Sequence, residues 1–327
     1  MTLGSAHELV DVHAHFVTES YVATARAAGH EHPNGMPGWP RWSEEEHLGL
    51  MDRGGISKTM LSLVTPGTHF GDDLAARRLT REVNEFGAEL SRRRPARFGH
   101  FASLTLPDVE GALAEAAYAL DELGADGLTV STNSHGRYLG DPLFESLWAE
   151  LDRRRAVVFV HPTSPPRHEA ITVGLPRPVL EFIFDSARAA VNLVFNGVAS
   201  RYPGISWIFP HGGGALPLLA ARLDQSCGFI EGLGGPPDIS VREQLGRFWY
   251  DIAGTPFPDQ VPALAGAFGT ERMLYGSDYC WFPVQGVLTQ IESIDAAAPP
   301  DDRETWRELT TRNARRLLPR ATGDQLS

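Results

Sequence analysis

Cysteine is scarce: Cys227 and Cys280, far apart, are the two in a chain of 327 residues. That excludes a disulfide framework and makes a reducing compartment, the cytoplasm, the expected setting. Long apolar runs are absent too, none reaching the roughly 18 residues of a membrane span. The opening "MTLGSAHELV" has no basic segment leading into an apolar one, so no signal peptide is expected. Basic charge is in deficit, with 29 Lys and Arg against 41 Asp and Glu and a net charge of −12. Nucleic-acid backbones and anionic membranes are recognised by clustered cations, so neither is expected as a partner. A local pocket for a small anion is not excluded by that total. No repeat, low-complexity tract or linker divides the chain. Residues 1–320 read as one domain, followed by a flexible tail at 321–327.

What the chain does contain is alternation. Short β-branched, apolar runs at Leu9–Val12, Thr59–Val64, Phe98–Leu104, Gly127–Ser131, Val157–Val160, Ile205–Phe209, Phe248–Ile252 and Arg272–Tyr275 read as eight strands. Helical spacing fills Asp73–Arg93, Val109–Leu123, Pro142–Arg154, Pro178–Arg201, Ala215–Phe229, Gln260–Phe268 and Val284–Ala296, and a last helix spans Asp301–Leu318. Such alternation means parallel strands joined by crossover helices. Runs such as "AVVFV" are apolar throughout, as strands covered on both faces are. Eight units predict a TIM-like (β/α)8 barrel, with an open doubly wound sheet as the alternative. One segment breaks the rhythm: Gly29–Ser43, "GHEHPNGMPGWPRWS", a long insertion after the first strand. Loops of that length are usually functional or disordered. Its two tryptophans predict an ordered loop that covers something.

The first strand leads into "DVHAHF". Side chains at i and i+2 of a strand share a face, so His13 and His15 project together. They do so at the C-terminal end, where barrels carry their active sites. Two neutral imidazoles aimed into one cavity need a partner, and a divalent metal is the simplest. "HEH" at His30–His32 has the same spacing but no strand to aim it, and reads as loop surface. His161 follows the fifth strand, His211 the sixth and Asp278 the eighth. Singly, each has an ordinary reading: a polar strand end, a Gly-rich turn, a helix cap. The glycines after His211 would let backbone approach a ligand, and the helix start could hold an anion. No Lys-Ser/Thr follows, which argues against a phosphate loop. Together, four His and one Asp fall at the C-terminal ends of strands one, five, six and eight, which a barrel brings to one rim. Three imidazoles and a carboxylate suit Zn²⁺, with water or substrate completing the set.

In order, "DVHAH", "VFVHPT", "PHGGGALP" and "YGSDY" resemble the amidohydrolase superfamily. More closely they resemble the branch containing aminocarboxymuconate-semialdehyde, γ-resorcylate and 6-methylsalicylate decarboxylases. The similarity covers nearly the whole chain and includes "GISKTMLSL", "LGDPLFESLWAELDRR" and "YDIAGTPFPDQVPAL". The last two look most like the methylsalicylate-type members. The resemblance implies a distorted (β/α)8 barrel holding one divalent ion, Zn²⁺ by default and Mn²⁺ as the alternative. It implies His13, His15, His161 and Asp278 as ligands and His211 as the nearby acid/base. The lysine of two-metal relatives has no counterpart, which favours a single ion. A homodimer is common in such relatives, though no sequence feature shows one.

The activity implied is non-oxidative decarboxylation of a small aromatic or unsaturated acid, such as 6-methylsalicylate, a hydroxybenzoate or aminocarboxymuconate semialdehyde. Asp278 or a water would protonate carbon, and His211 would polarise a substrate oxygen or relay protons. Trp42, Trp281 and Phe282 are candidate aromatic walls. The chain departs from muconate-semialdehyde decarboxylases where Asp-Tyr-Pro-Phe becomes Asp278-Tyr279-Cys280-Trp281, and where arginines ahead of "MD" become His47 and Gly49. Arg41 is then the candidate for the substrate carboxylate. Two rivals stay open. One is a hydrolase of a lactone, amide or C–C bond, because ligand residues are shared across these chemistries. The other is a non-catalytic ligand-binding barrel, which would have lost a rim residue.

Overall fold

The computed structural model describes residues 8–230 and 240–323. Its strands are β1 (Leu9–His15), β2 (Ile56–Ser62), β3 (Phe98–Ser103), β4 (Gly127–Ser131), β5 (Asn133–Ser134), β6 (Arg137–Tyr138), β7 (Val157–His161), β8 (Ser206–Phe209), β9 (Trp249–Asp251) and β10 (Met273–Leu274). β5 and β6 pair only with each other, as a small antiparallel hairpin. The other eight form one sheet in chain order, every pair parallel. Val12 N donates to Tyr275 O at 3.0 Å, and the bridges Asp11–Tyr275 and Ala14–Tyr279 return the end of the sheet to β1. The predicted barrel is borne out and the open sheet is not. It is distorted because β9 and β10 hold three and two residues, so closure rests on single bridges rather than a ladder.

The first strand runs further than its apolar run suggests, through His15. A register shift between Asp11 and Ala14 explains how it serves two purposes. Val10 and Val12 join a cluster with Met60, Phe101, Phe159, Ile208, Trp249 and Leu274, which fills the barrel. Past the shift, His13 and His15 take over the inward direction beside Phe159 and His161. Each fully buried apolar side chain of this plug contributes about 1.5–3 kcal/mol. The last long helix, Trp306–Leu317, starts at a Thr305–Glu308 capping box and closes the N-terminal end of the barrel. Its Asn313 side chain donates to Thr270 O and Met273 O, both at 2.9 Å, and Ala314 joins the inner cluster. The opposite rim, where β1 and β7 end in histidine, is therefore the open one.

The helices differ from expectation in detail. Pro178–Arg201 is two helices, Glu181–Phe195 and Val198–Arg201, parted at Gly197 with φ +71°. Two further helices, Glu19–Ala27 and Glu44–Gly54, flank the long loop. The first buries only Tyr21 and Ala25, and the second places His47 within its buried stripe, which hides the apolar period. Between them, Gly29–Ser43 contains only the turn Pro33–Gly35. The loop is pinned by Trp39, whose indole donates to His30 O at 2.8 Å and packs on Tyr21 and Trp281. A short helix at Pro319–Thr322 takes in the start of the expected tail, and residues 324–327 lie outside the described residues. Among the described residues no helix is long and apolar enough to cross a membrane.

Candidate metal centre and active site

The rim gathers the dispersed residues. Ligand atoms of His13, His15, His161 and Asp278 all lie within 4.8 Å of one another. Asp278 Oδ1 is 3.3 Å from His13 Nε2 and 3.1 Å from His15 Nε2. His211 approaches the other oxygen, with Nε2 3.3 Å from Oδ2. The far ring nitrogens are also placed. His161 Nδ1 donates to Pro162 O at 2.8 Å, which leaves Nε2 with a free lone pair. His15 Nδ1 meets Ser62 Oγ at 3.1 Å. His13 Nδ1 lies 3.0 Å from Asp251 Oδ2, close but poorly aligned for a hydrogen bond, so the contact is an ion-pair one.

These residues fit a divalent cation. His13 Nε2 is buried without a hydrogen bond, and leaving buried polar atoms unmatched is costly. Burial and neighbouring imidazoles hold His161 well below its usual pKa, and burial lowers His15, so both are neutral donors. Burial opposes charge on His13, yet Asp251 and Asp278 at its two nitrogens raise it to about 10. Burial alone would raise Asp278, but the charge of His13 and hydrogen bonds from His15 and His211 hold it well below the usual carboxylate range. Neutral imidazoles at His15 and His161 beside an ionised carboxylate, with His13 giving up its Nε2 proton as the ion binds, are the donor set of a Zn²⁺- or Mn²⁺-type ion. The chain's single lysine, Lys58, bonds Pro95 O and is not in the group.

Backbone geometry sets these side chains. Asp278 and His211 both have left-handed backbones, φ +58° and +54°, a cost accepted mainly at functional sites. Asp278 N donates to His13 O at 2.7 Å, tying the loop after β10 to β1. Gly276 permits that approach, since a Cβ there would sit 2.7 Å from His13 Cβ. The glycines after His211 serve a different end from the one expected. A Cβ on Gly214 would lie 2.1 Å from Ile183 O, so the close approach is to the chain itself.

Two residues that sequence reasoning missed support the group. Asp251, at the end of β9, reaches His13 and accepts from His211 N at 3.1 Å and Ala253 N at 3.0 Å. Its signal was available: an Asp closing the seventh strand of the barrel at the same rim. Asp11 Oδ1 accepts from His13 N and Ser277 N, both at 3.0 Å, and fixes the register shift.

Over the group lies a cavity of about 440 Å³. His161, His211 and Asp278 form its polar end, and Met36, Val179, Phe182, Trp281 and Phe282 line it elsewhere. The long loop contributes Pro33, Asn34 and Met36, so it does cover the site. Trp281 and Phe282, the expected aromatic walls, both line this cavity. Trp42 instead packs on Phe16 and Phe86 and donates to His47 Nδ1 at 3.0 Å, away from the cavity lining. Arg41 is exposed and does not line the cavity either. His30 and His32 line a second, neighbouring chamber.

The sequence and the fold have counterparts. The amidohydrolase family profile matches residues 10–320. A decarboxylase of Aspergillus niger, yanB, is 35% identical, covering 95% of this chain and 87% of its own. The 6-methylsalicylic acid decarboxylase of Penicillium expansum is 32% identical, over 96% of this chain and 97% of its own. A crystal structure of a dihydroxybenzoic acid decarboxylase from Polaromonas, with bound manganese and 2-nitroresorcinol, superposes with a TM-score of 0.82 at 21% identity, covering 96% and 97%. With the rim group assembled on a parallel barrel and this match along nearly its whole length, the chain belongs to the amidohydrolase family, in the branch that holds these decarboxylases.

Proposed function

We propose that the chain is a metal-dependent, non-oxidative decarboxylase of a small aromatic acid of the 6-methylsalicylate or hydroxybenzoate type. The carrying observation is the asymmetry of the cavity: its ionisable groups sit at one end and its walls are largely apolar. Among the described residues no Arg or Lys lines it, so within this cavity a substrate carboxylate is held where the histidines and Asp278 meet, which orients the ring. Trp281, Phe282 and Phe182 then face a flat, apolar body better than an open-chain one.

His13, His15, His161 and Asp278 would hold one ion, Zn²⁺ by donor set, with Mn²⁺, present in the Polaromonas structure, as the rival. When bound, it supplies positive charge that fixes the carboxylate and an adjacent phenolic oxygen. As CO₂ leaves, its carbon's place on the ring is taken by a proton. Asp278 rests ionised, so the proton it delivers is one it first receives, from His211 across 3.3 Å or from the substrate's phenol. General acid–base help of this kind is worth about 10²–10⁴-fold. Hydrolysis is set aside, because the full-length relatives are decarboxylases. A non-catalytic barrel is set aside because all five rim residues converge.

A panel of salicylates, dihydroxybenzoates, lactones and amides tests this. CO₂ from 6-methylsalicylate or a close analogue is expected, and turnover of lactones or amides alone would refute it. We also propose a homodimer. Phe184 and Leu218 are 42 and 82% exposed, on helices joined by the Ala215 N–Ile183 O bond. Neighbouring exposed apolar side chains support such an interface. A chain with only two cysteines, one of them the buried Cys280, fits a cytoplasmic setting.

A further inference from the structure

The second chamber, about 550 Å³, meets the substrate cavity at Asn34 and His161, which line both. Among the described residues its lining contains no Asp, Glu or Lys. It contains Arg177 together with His30, His69, His135 and His168. In a chain of net charge −12, a concave surface with a guanidinium and several imidazoles, two of them backed by the exposed Asp73 and Glu169, and with no carboxylate among its described lining residues, favours anions.

Arg177 is held in place from the protein side. Its Nε donates to Ser164 Oγ at 3.1 Å, Ser164 Oγ donates to Asn34 Oδ1 at 2.7 Å, and Asn34 Nδ2 donates to Thr65 Oγ1 at 2.7 Å. One edge packs on Gly35, where φ is +75° and a Cβ would lie 2.5 Å from a guanidinium nitrogen. The nearby acid, Glu169, is 77% exposed and turned to His168 at 3.3 Å. Arg177 thus spends one donor on positioning and keeps its terminal nitrogens for a ligand. The next two residues, Pro178 and Val179, line the substrate cavity, so this turn forms part of the wall of both chambers.

We propose that the chamber is an anion site in which Arg177 receives a planar carboxylate-type group beside the active site. A guanidinium fork matches such a group with two parallel hydrogen bonds. Two sources share that chemistry: the carboxylate of the incoming acid, and bicarbonate formed from the released CO₂. Only the first rests on the decarboxylase reading.

Calorimetric titration of the metal-loaded protein with benzoate and with bicarbonate tests the site, comparing wild type with Arg177→Met and Arg177→Lys. At least one anion should bind roughly tenfold or more weakly to the Met variant, which is the loss of one charge-assisted pair. The Lys variant should recover part of it, with melting temperature and metal content unchanged. Weaker benzoate binding with a raised KM and unchanged kcat assigns the site to substrate; weaker bicarbonate binding alone assigns it to product. Inhibition by the phenol product, which lacks the carboxylate, should not change. Equal binding of both anions to the wild type and the Met variant, or binding of neither to the wild type, would overturn the proposal. The calorimetry decides even if no acid tested releases CO₂.

Discussion

Replacing Asp251 by Asn changes one atom and should disturb the centre strongly. Asp251 Oδ2 stands 3.0 Å from His13 Nδ1, while Oδ1 accepts from the backbones of His211 and Ala253. A carboxylate there favours the proton on Nδ1 and leaves Nε2, which points to Asp278, free to bind an ion. The Asn oxygen can keep both backbone bonds, so its NH₂ must face His13. That favours the other tautomer, with the proton on Nε2. Loss of such an outer partner typically weakens metal binding ten- to hundredfold, about 1.4–2.7 kcal/mol. Competition with a chelating dye reads the affinity directly, apart from turnover. Asp251→Asn should need that much less chelator to lose its ion, with the fold intact by circular dichroism. Wild-type affinity in the variant would refute the tautomer reasoning.

His100, 2% exposed on β3, gives a pH signature away from the centre. Burial lowers it from 6.5 to about 4, so the unfolded chain takes up a proton before the folded one. Stability should fall as pH drops from about 6.5 towards 4, by about 3 kcal/mol in all and about 2 at pH 5. Urea unfolding of His100→Asn should lose that slope; an unchanged slope would assign acid sensitivity elsewhere. Leu218→Glu places a charge on the exposed apolar surface, and light scattering should report a shift from dimer to monomer without loss of melting temperature. A wild-type mass for the variant would move the interface elsewhere.

The sequence made the barrel legible because strand and helix alternate with unlike periods, and "DVHAH" was legible because a strand fixes where i and i+2 point. Its limits have local causes. The register shift in β1 depends on Asp11 reaching Ser277, 266 residues away, which no local pattern encodes. Trp42 and Trp281 look alike as loop aromatics, yet one packs on Phe86 and the other lines the cavity. Arg41 was preferred for its place in the covering loop. Arg177 sits in a Pro-rich stretch with no strand or helix period, and only the fold brings it beside Asn34. Asp251 differs, since its place at a strand end could have been weighed with the others.

Metal analysis of three purified proteins, the wild type, His161→Ala and His211→Ala, tests the central claim most directly. One divalent ion per chain is expected in the wild type and in His211→Ala, the latter without turnover, and little or none in His161→Ala. Equal metal in both variants, or an active wild type free of metal, would contradict the account.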